Sequence, residues 1–383
     1  MTPLLESESW IGRFRSSLLK WYGANKRSMP WRDVDDPYKV WVSEIMLQQT
    51  QVDRVREFFE RFVAAFPTVS ALAAATESEV LKVWEGMGYY SRARNMRRAA
   101  QQMVATHGAR IPDQYAELID LPGVGPYTAA AVSSIAYDRD HPVLDGNVIR
   151  VLCRLLLIEE DPRLATVKTD LIAASERLLA RRRAGDFNQA MMELGARICT
   201  PRNPLCHDCP VRSWCRAYRE LEDPSELPVK GKRKERPHLQ VAAGLIWKKG
   251  RLLIARRPSE GMLGGLWEFP GGKLEEGESL EECLVREIAE ELDIVIDVGE
   301  LVASVDHGYS HFSITLNAFH ATFVSGTPKA IGCSEWKWVV PAELEQFAMP
   351  RADRRVLETI VEDRPLSTLR PPAPKEGALS VRI

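Results

Sequence analysis

The sequence predicts a multidomain chain: an all-α part through about residue 216, closed by a metal-binding cysteine loop, then an α+β part over 238–364. Three observations carry this reading. Apolar residues recur at three- and four-residue spacing through the first half. Four of the seven cysteines, Cys199, Cys206, Cys209 and Cys215, fall within seventeen residues. From His238 onward the pattern turns to short strand-like runs around one helical stretch.

At 383 residues the chain has room for two or three ordinary domains. Its 45% hydrophobic and 27% charged content is that of a soluble globular protein. No apolar run approaches the ~18–20 residues that span a bilayer, and the first residues carry early acids and lack the core of a secretory leader. A cytoplasmic monomer with no membrane partner is the expectation. The net charge of −2 hides an asymmetry, +3 through residue 220 and −6 from residue 241. A mildly basic first half suits a polyanionic partner without requiring one.

In chain order, helical spacing marks 40–62, 71–84, 93–107, 128–136 and 148–157. Proline and glycine punctuate between them at Phe66-Pro67, Gly86-Met87-Gly88, Ile111-Pro112 and Leu121-Pro122-Gly123. Residues 217–237 read as a polar linker with a basic run from Lys230 to Arg236, either a solvated tether or a phosphate-contacting strap. Strands are expected at 240–247, 251–256, 313–324 and 335–340, with a helix at 279–292. The tail, 365–383, is expected to be disordered.

The clustered cysteines follow C-x6-C-x2-C-x5-C. In a reducing compartment this reads as metal binding, not as disulfides. Four thiolates can close a tetrahedral shell around zinc or hold an iron–sulfur cubane. Zinc ribbons usually pair two C-x2-C units, and only the inner pair here is that tight.

Two carboxylates stand out. Glu44 lies in Val42-Ser43-Glu44-Ile45-Met46-Leu47-Gln48-Gln49-Thr50, and Asp145 in Val143-Leu144-Asp145-Gly146-Asn147-Val148. Taken alone, Glu44 reads as a helix-surface acid and Asp145 as an N-cap. The string Leu121-Pro122-Gly123-Val124-Gly125-Pro126-Tyr127-Thr128 opens a small-residue helix. Its glycines permit close approach of the turn to another backbone, and its unpaired amides suit a phosphate. In the second part, Gly272, Glu278, Arg286, Glu287, Ile288, Glu290, Glu291 and Ile294 fit G-x5-E-x7-R-E-U-x-E-E-x-G-U, where U is apolar. Only the second glycine fails; it is Asp293, a residue that tolerates the left-handed position past a helix end. On a helix Glu287, Glu290 and Glu291 share one face, a hard-oxygen set suited to Mg²⁺ or simply a solvated acidic face.

Together these strings resemble the MutY branch of the helix–hairpin–helix glycosylases, relatives of endonuclease III, followed by a Nudix-like (MutT-like) domain. The match extends over most of the chain. The resemblance implies a [4Fe-4S] cluster on Cys199, Cys206, Cys209 and Cys215, with a structural role. It implies an adenine-specific glycosylase acting on double-stranded DNA that carries adenine opposite 8-oxoguanine or guanine. Glu44 would be the general acid, in a pocket of Met29, Trp31 and Ile45 that raises its pKa. Asp145 would stabilise or attack the sugar cation, with Asn147 and Tyr127 orienting the reactants. Bifunctional relatives carry a strand-cutting lysine where this chain has Tyr127, so the implied enzyme is monofunctional. Arg27, Trp31 and Gln189 would line the adenine pocket, Gln49 and Tyr89 would fill the stack where the base leaves, and Gly123, Val124 and Gly125 would hold the DNA backbone.

The second part carries His307-Gly308-Tyr309-Ser310-His311-Phe312, similar to the family's H-x-F-S-H with Tyr309 in place of phenylalanine. The resemblance implies that Tyr309, Ser310 and His311 read the oxidised purine. MutY enzymes usually lose the Nudix acids, and this chain keeps them. A second, Mg²⁺-dependent hydrolysis of nucleotides such as 8-oxo-dGTP at Glu287, Glu290 and Glu291 follows as an expectation, against the alternative of inherited scaffold. Two other readings stand beside the glycosylase: an oxidised-nucleotide hydrolase tethered to a DNA-binding half, and a damage-binding protein without catalysis. The intact Glu44 and Asp145 pair argues against either as the sole function.

Overall fold

The computed structural model describes residues 7–229, 231, 236–362 and 364–371. Helices come first: α1 (Glu8–Asn25), α2 (Pro37–Leu47), α3 (Val52–Ala65), α4 (Val69–Ala74), α5 (Glu77–Trp84), α6 (Ser91–Thr106), α7 (Tyr115–Ile119), α8 (Pro126–Tyr137), α9 (Gly146–Leu156), α10 (Ala165–Leu178), α11 (Ala184–Arg197) and α12 (Arg216–Glu220). The span 40–62, expected as one helix, is two. Residue Gln49 takes a left-handed φ of 55° and turns the chain between α2 and α3. The span 71–84 also divides, because Thr76 caps α5 in reciprocal bonds with Glu79. Helix α1 escaped the periodicity reading, yet it buries Trp10, Ile11, Phe14 and Leu18 against Leu152 of α9 and Phe187 of α11 in one core.

The chain divides into two compact units. The first is Met1–Ala75 with Asn95–Arg233, and the second is Thr76–Arg94 with Lys234–Ile383. This differs from boundaries at 216 and 238 in one respect that matters: α5 and the turn after it belong with the C-terminal residues. The start of the expected linker is folded. It forms α12, and Leu227 is buried, its carbonyl accepting from Arg154 Nε at 2.8 Å. Of the basic run, Lys230 and 232–235 lie outside the described residues. The expected disordered tail is corrected in its first part, because Leu366–Thr368 forms a helical turn and Leu369 is buried in a core. Residues 372–383 lie outside the described residues.

The second unit is built on a seven-stranded mixed sheet of β1 (His238–Lys248), β2 (Arg251–Arg256), β3 (Trp267–Glu268), β4 (Gly271–Lys273), β5 (Ile294–Gly308), β6 (Ser313–Gly326) and β7 (Glu335–Val339). The order is β3-β2-β1-β6-β5, with β4 on β1 and β7 on β2. Strands β1 and β6 run parallel, and the other pairs are antiparallel. Helix α13 (Leu280–Leu292) covers one face with Leu284, Ile288 and Leu292; α14 (Arg351–Val361) covers the other with Val356 and Leu357. The long strand β5 was not anticipated. Register shifts at Val295/Ile296, Val298/Leu301 and Leu301/Ala303 interrupt the two-residue alternation that marks a strand.

Candidate active site

A cavity of 180 Å³ opens in the first unit where α2, α8, α9 and α11 meet. Its lining includes Glu44, Tyr127, Asp145, Asn147 and Gln189, with Arg27, Met29 and Trp31 from the loop after α1. Glu44 sits inside α2, which packs on α8, and the carboxyl is buried. Gln48 ties the two helices together by donating to Thr128 Oγ1 at 3.0 Å. Tyr127, in the first turn of α8, donates its hydroxyl proton to Glu44 Oε2 at 2.8 Å. Burial pushes the Glu44 carboxyl up to about 7; the Tyr127 bond and Arg32 oppose the rise, and nearby Asp145 adds to it. Met29 and Trp31 flank this space as expected, but Ile45 does not line it. One residue along a helix turns the side chain by about 100°, and Ile45 is buried in the protein core instead.

Asp145 is the N-cap of α9, with Oδ1 accepting from Val148 N at 2.7 Å, and it also lines the cavity. Its Oδ2 accepts from Asn147 Nδ2 at 2.9 Å. Burial raises its pKa, while the Val148 and Asn147 bonds favour the carboxylate. Asn147 Oδ1 in turn accepts from Arg150 Nη2 at 2.8 Å, and Arg150 also donates to Gly195 O and Cys199 O, each at 2.7 Å. Hydrogen bonds therefore run from Asp145 to the backbone of the cysteine loop.

Sequence reasoning missed Arg150, Arg32 and Glu193. Glu193, almost fully buried in α11, accepts from Arg27 Nε at 2.7 Å and from Arg32 Nη2 at 3.2 Å. Burial alone would raise its carboxyl, but the two arginines hold it below the usual range. The cavity thus has an acid at one wall and an arginine-paired carboxylate at another.

The four cysteines follow α11 directly. Cys199, Cys209 and Cys215 pack against the core of the first unit. All four are electrostatic neighbours. Burial pushes the Cys209 thiol up to about 12 and Cys215 to about 11. Buried Arg154 donates to Cys199 Sγ at 3.3 Å, and Cys215 Sγ approaches Arg154 O at 3.4 Å. Among the described residues no three such groups close on a single-ion position. Four free cysteine thiols in one loop, electrostatic neighbours of one another, are the donor set an iron–sulfur cluster would take.

The hairpin from α7 to α8 has the turn its glycines require. Gly123 has φ 78°, and a Cβ there would come within 2.6 Å of Asn95 Cβ. Gly125 caps α8 without a side chain, so the first-turn amides have no side-chain cap. Gln49 stands in the turn after α2, outside the cavity lining.

The second unit holds its own cavity, of 410 Å³, lined by Glu287 and Glu291 of α13, Glu268, Asp353, Arg257 and Tyr309. Gly272 lets Glu287 come close, since a Cβ there would lie 2.0 Å from its carboxyl carbon. Asp293 ends α13 in the left-handed conformation, φ 54°. The expectation of three acids in one site is corrected: Glu290 is not in the lining, its side chain is 62% exposed, and Arg286 pairs with it at 3.4 Å. Glu268 and Asp353 were missed; burial raises Glu268 and, with neighbouring acids, Glu291 to about 7 and Asp353 to about 6. Tyr309 packs against Phe312, the ring centroids 4.9 Å apart and the planes tilted by 32°, in the loop between β5 and β6, while Ser310 and His311 are exposed. Tyr89 lies in the same unit, its hydroxyl hydrogen-bonded to Ser310 Oγ.

Comparison with known proteins agrees with this construction. Residues 42–174 match the HhH-GPD superfamily of base excision DNA repair proteins, 199–215 the iron–sulfur binding domain of endonuclease III, and 242–359 the NUDIX domain. The adenine DNA glycosylase of Rattus norvegicus is 35% identical over 408 residues, covering 92% of this chain and 79% of the relative. That of Homo sapiens is 35% identical over 415 residues, covering 93% and 75%. That of Schizosaccharomyces pombe is 32% identical over 409 residues, covering 88% and 87%. Among solved structures, a thermostable thymine-DNA glycosylase superposes with a TM-score of 0.50 at 28% identity, covering 55% of this chain and 96% of that one. With a glycosylase fold, an iron–sulfur loop, a Nudix domain and relatives aligned along most of its length, the chain belongs to the adenine DNA glycosylases.

Proposed function

We propose that the chain hydrolyses the N-glycosidic bond of adenine opposite 8-oxoguanine or guanine in duplex DNA and leaves an abasic site. The observation that carries this is Glu44, buried, bonded to Tyr127 and sharing one cavity with Asp145. Chemistry on a base requires its extrusion from the duplex into such a pocket. Adenine is a poor leaving group, and a carboxyl near pH 7 is matched to protonate it. The departing base leaves positive charge on the sugar, which the Asp145 carboxylate stabilises or captures, with Asn147 fixing its orientation. Tyr127 cannot form the Schiff base that strand cutting by an amine needs, so the sugar–phosphate backbone stays intact. Arg27, Arg32, Glu193 and Gln189 line the same space and provide the polar edge that fixes the base. Cys199, Cys206, Cys209 and Cys215 would hold the [4Fe-4S] cluster, which supplies structural cross-linking when bound. The hairpin Gly123–Gly125 positions the DNA backbone, and Ser310, His311 and Tyr309 read the oxidised base opposite.

A second reading is favoured by the cavity of the second unit. Glu287, Glu291 and Glu268 line it; burial raises Glu268 and Glu291, a cost that a hard cation between the carboxylates offsets. Mg²⁺-dependent hydrolysis of 8-oxo-dGTP there is the activity that uses them. It is tested by product release from the nucleotide with Mg²⁺ against a Glu287→Gln/Glu291→Gln control. The main reading is tested with Glu44→Gln and Asp145→Asn: both should bind the mispaired duplex, and both should lose base release. Wild-type rates in either variant would remove that residue from the chemistry.

A further inference from the structure

The turn that carries Tyr89 belongs to the second unit, and the Glu85 carboxylate ties its start to the C-terminal residues. Glu85 ends α5. Its Oε1 accepts from Arg354 Nε at 2.7 Å and from Met349 N at 2.9 Å, and its Oε2 from Lys82 Nζ at 2.6 Å. Arg354 is fixed in turn by Leu344 O at 3.1 Å and by Phe347 O. Burial alone would raise the Glu85 carboxyl, but these donors hold it below the usual range. Farther along α5, Arg256 Nη2 donates to Glu77 Oε1 at 3.1 Å.

Beyond Glu85 the chain has little freedom. Gly86 (φ 91°), Gly88 (φ 78°) and Tyr89 (φ 49°) all take left-handed backbone. Gly88 O accepts from Trp84 Nε1 at 3.0 Å and from Arg92 Nη2 at 3.1 Å, and Gly86 N donates to Tyr90 OH at 3.1 Å. A non-glycine residue in this conformation persists only where its surroundings impose it. The imposed direction brings the Tyr89 hydroxyl to Ser310 Oγ, on the exposed loop between β5 and β6.

We propose that Glu85, through Arg354, is a positioning residue for discrimination of the base opposite the adenine: it sets the Tyr89 turn against the Ser310 loop, so that the two side chains act as one clamp. The proposal rests on the reading of Ser310 as a contact to the oxidised base. Glu85 is not among the residues that line the adenine cavity. Its removal should therefore alter preference between opposite bases and spare bond cleavage.

The experiment measures binding and single-turnover excision by the full, iron-loaded chain on adenine opposite 8-oxoguanine and opposite guanine. Wild type, Glu85→Gln, Ser310→Ala and the double variant are compared. Glu85→Gln should lower the preference for 8-oxoguanine by about tenfold, a coupling typical of residues in one network, and leave excision opposite guanine near wild type. In the Ser310→Ala background it should cost no further preference. Should Glu85→Gln lose iron or melt early, Arg354→Lys removes the planar fork while keeping the charge, and should shift preference in the same direction. Unchanged preference, equal loss on both substrates, or effects that add to those of Ser310→Ala would each overturn the positioning role. If Ser310→Ala alone leaves preference unchanged, the lesion-reading assignment fails first, separately from the role of Glu85.

Discussion

At the residue scale, the chemistry turns on the protonation of Glu44. Its carboxyl is raised to about 7 by burial, so it is a proton donor below that pH and a carboxylate above it. Single-turnover excision should therefore fall as pH rises through about 7. The Tyr127 bond lowers the Glu44 pKa, so Tyr127→Phe should move this falling limb to higher pH; a limb that stays put would detach Tyr127 from Glu44. Glu44→Gln should reduce base release by at least ~10²-fold, the usual scale of acid–base assistance, with duplex binding retained. Glu44 and Asp145 were legible in sequence because each sits in a distinctive local string. Glu193, Arg32 and Arg150 were not. Their roles come from partners 161, 166 and 49 positions distant, and no local pattern encodes such contacts.

At the scale of elements, α9 joins the site to the cysteine loop. Asp145 caps its first turn, and Arg150 one turn on reaches Asn147, Gly195 and Cys199. Arg150→Met would leave the carbonyls of Gly146, Gly195 and Cys199 without this donor, at a cost of about 1–3 kcal/mol for a buried unsatisfied group. It should also slow cleavage more than it weakens DNA binding, since Asn147 loses the partner that orients it. Equal losses in both would make the arginine a structural tie alone. The hairpin makes a different prediction. Gly123→Ala adds a Cβ 2.6 Å from Asn95 Cβ at φ 78°. Affinity should drop for all duplexes alike, because backbone contacts carry no sequence information; a drop confined to mispaired DNA would contradict the assignment. The hairpin was readable because glycine and proline encode turns locally. Strand β5 and the split of 40–62 were hidden, the first by bulges and the second by a left-handed glutamine.

At the scale of the molecule, the two halves announced themselves by composition, but their boundary did not. Thr76–Arg94 lies amid helical sequence and belongs with the C-terminal unit, through bonds such as Glu85 to Arg354. Iron analysis should find about four irons per chain, and one zinc without visible absorption would replace the cluster assignment. Adenine excision is read on duplex DNA with adenine opposite 8-oxoguanine. Released base is identified by chromatography, and strands are resolved with and without alkali. Wild-type protein should release free adenine, with strand breaks only after alkali. Adenine left in place under saturating enzyme, or breaks that appear without alkali, would contradict monofunctional adenine excision.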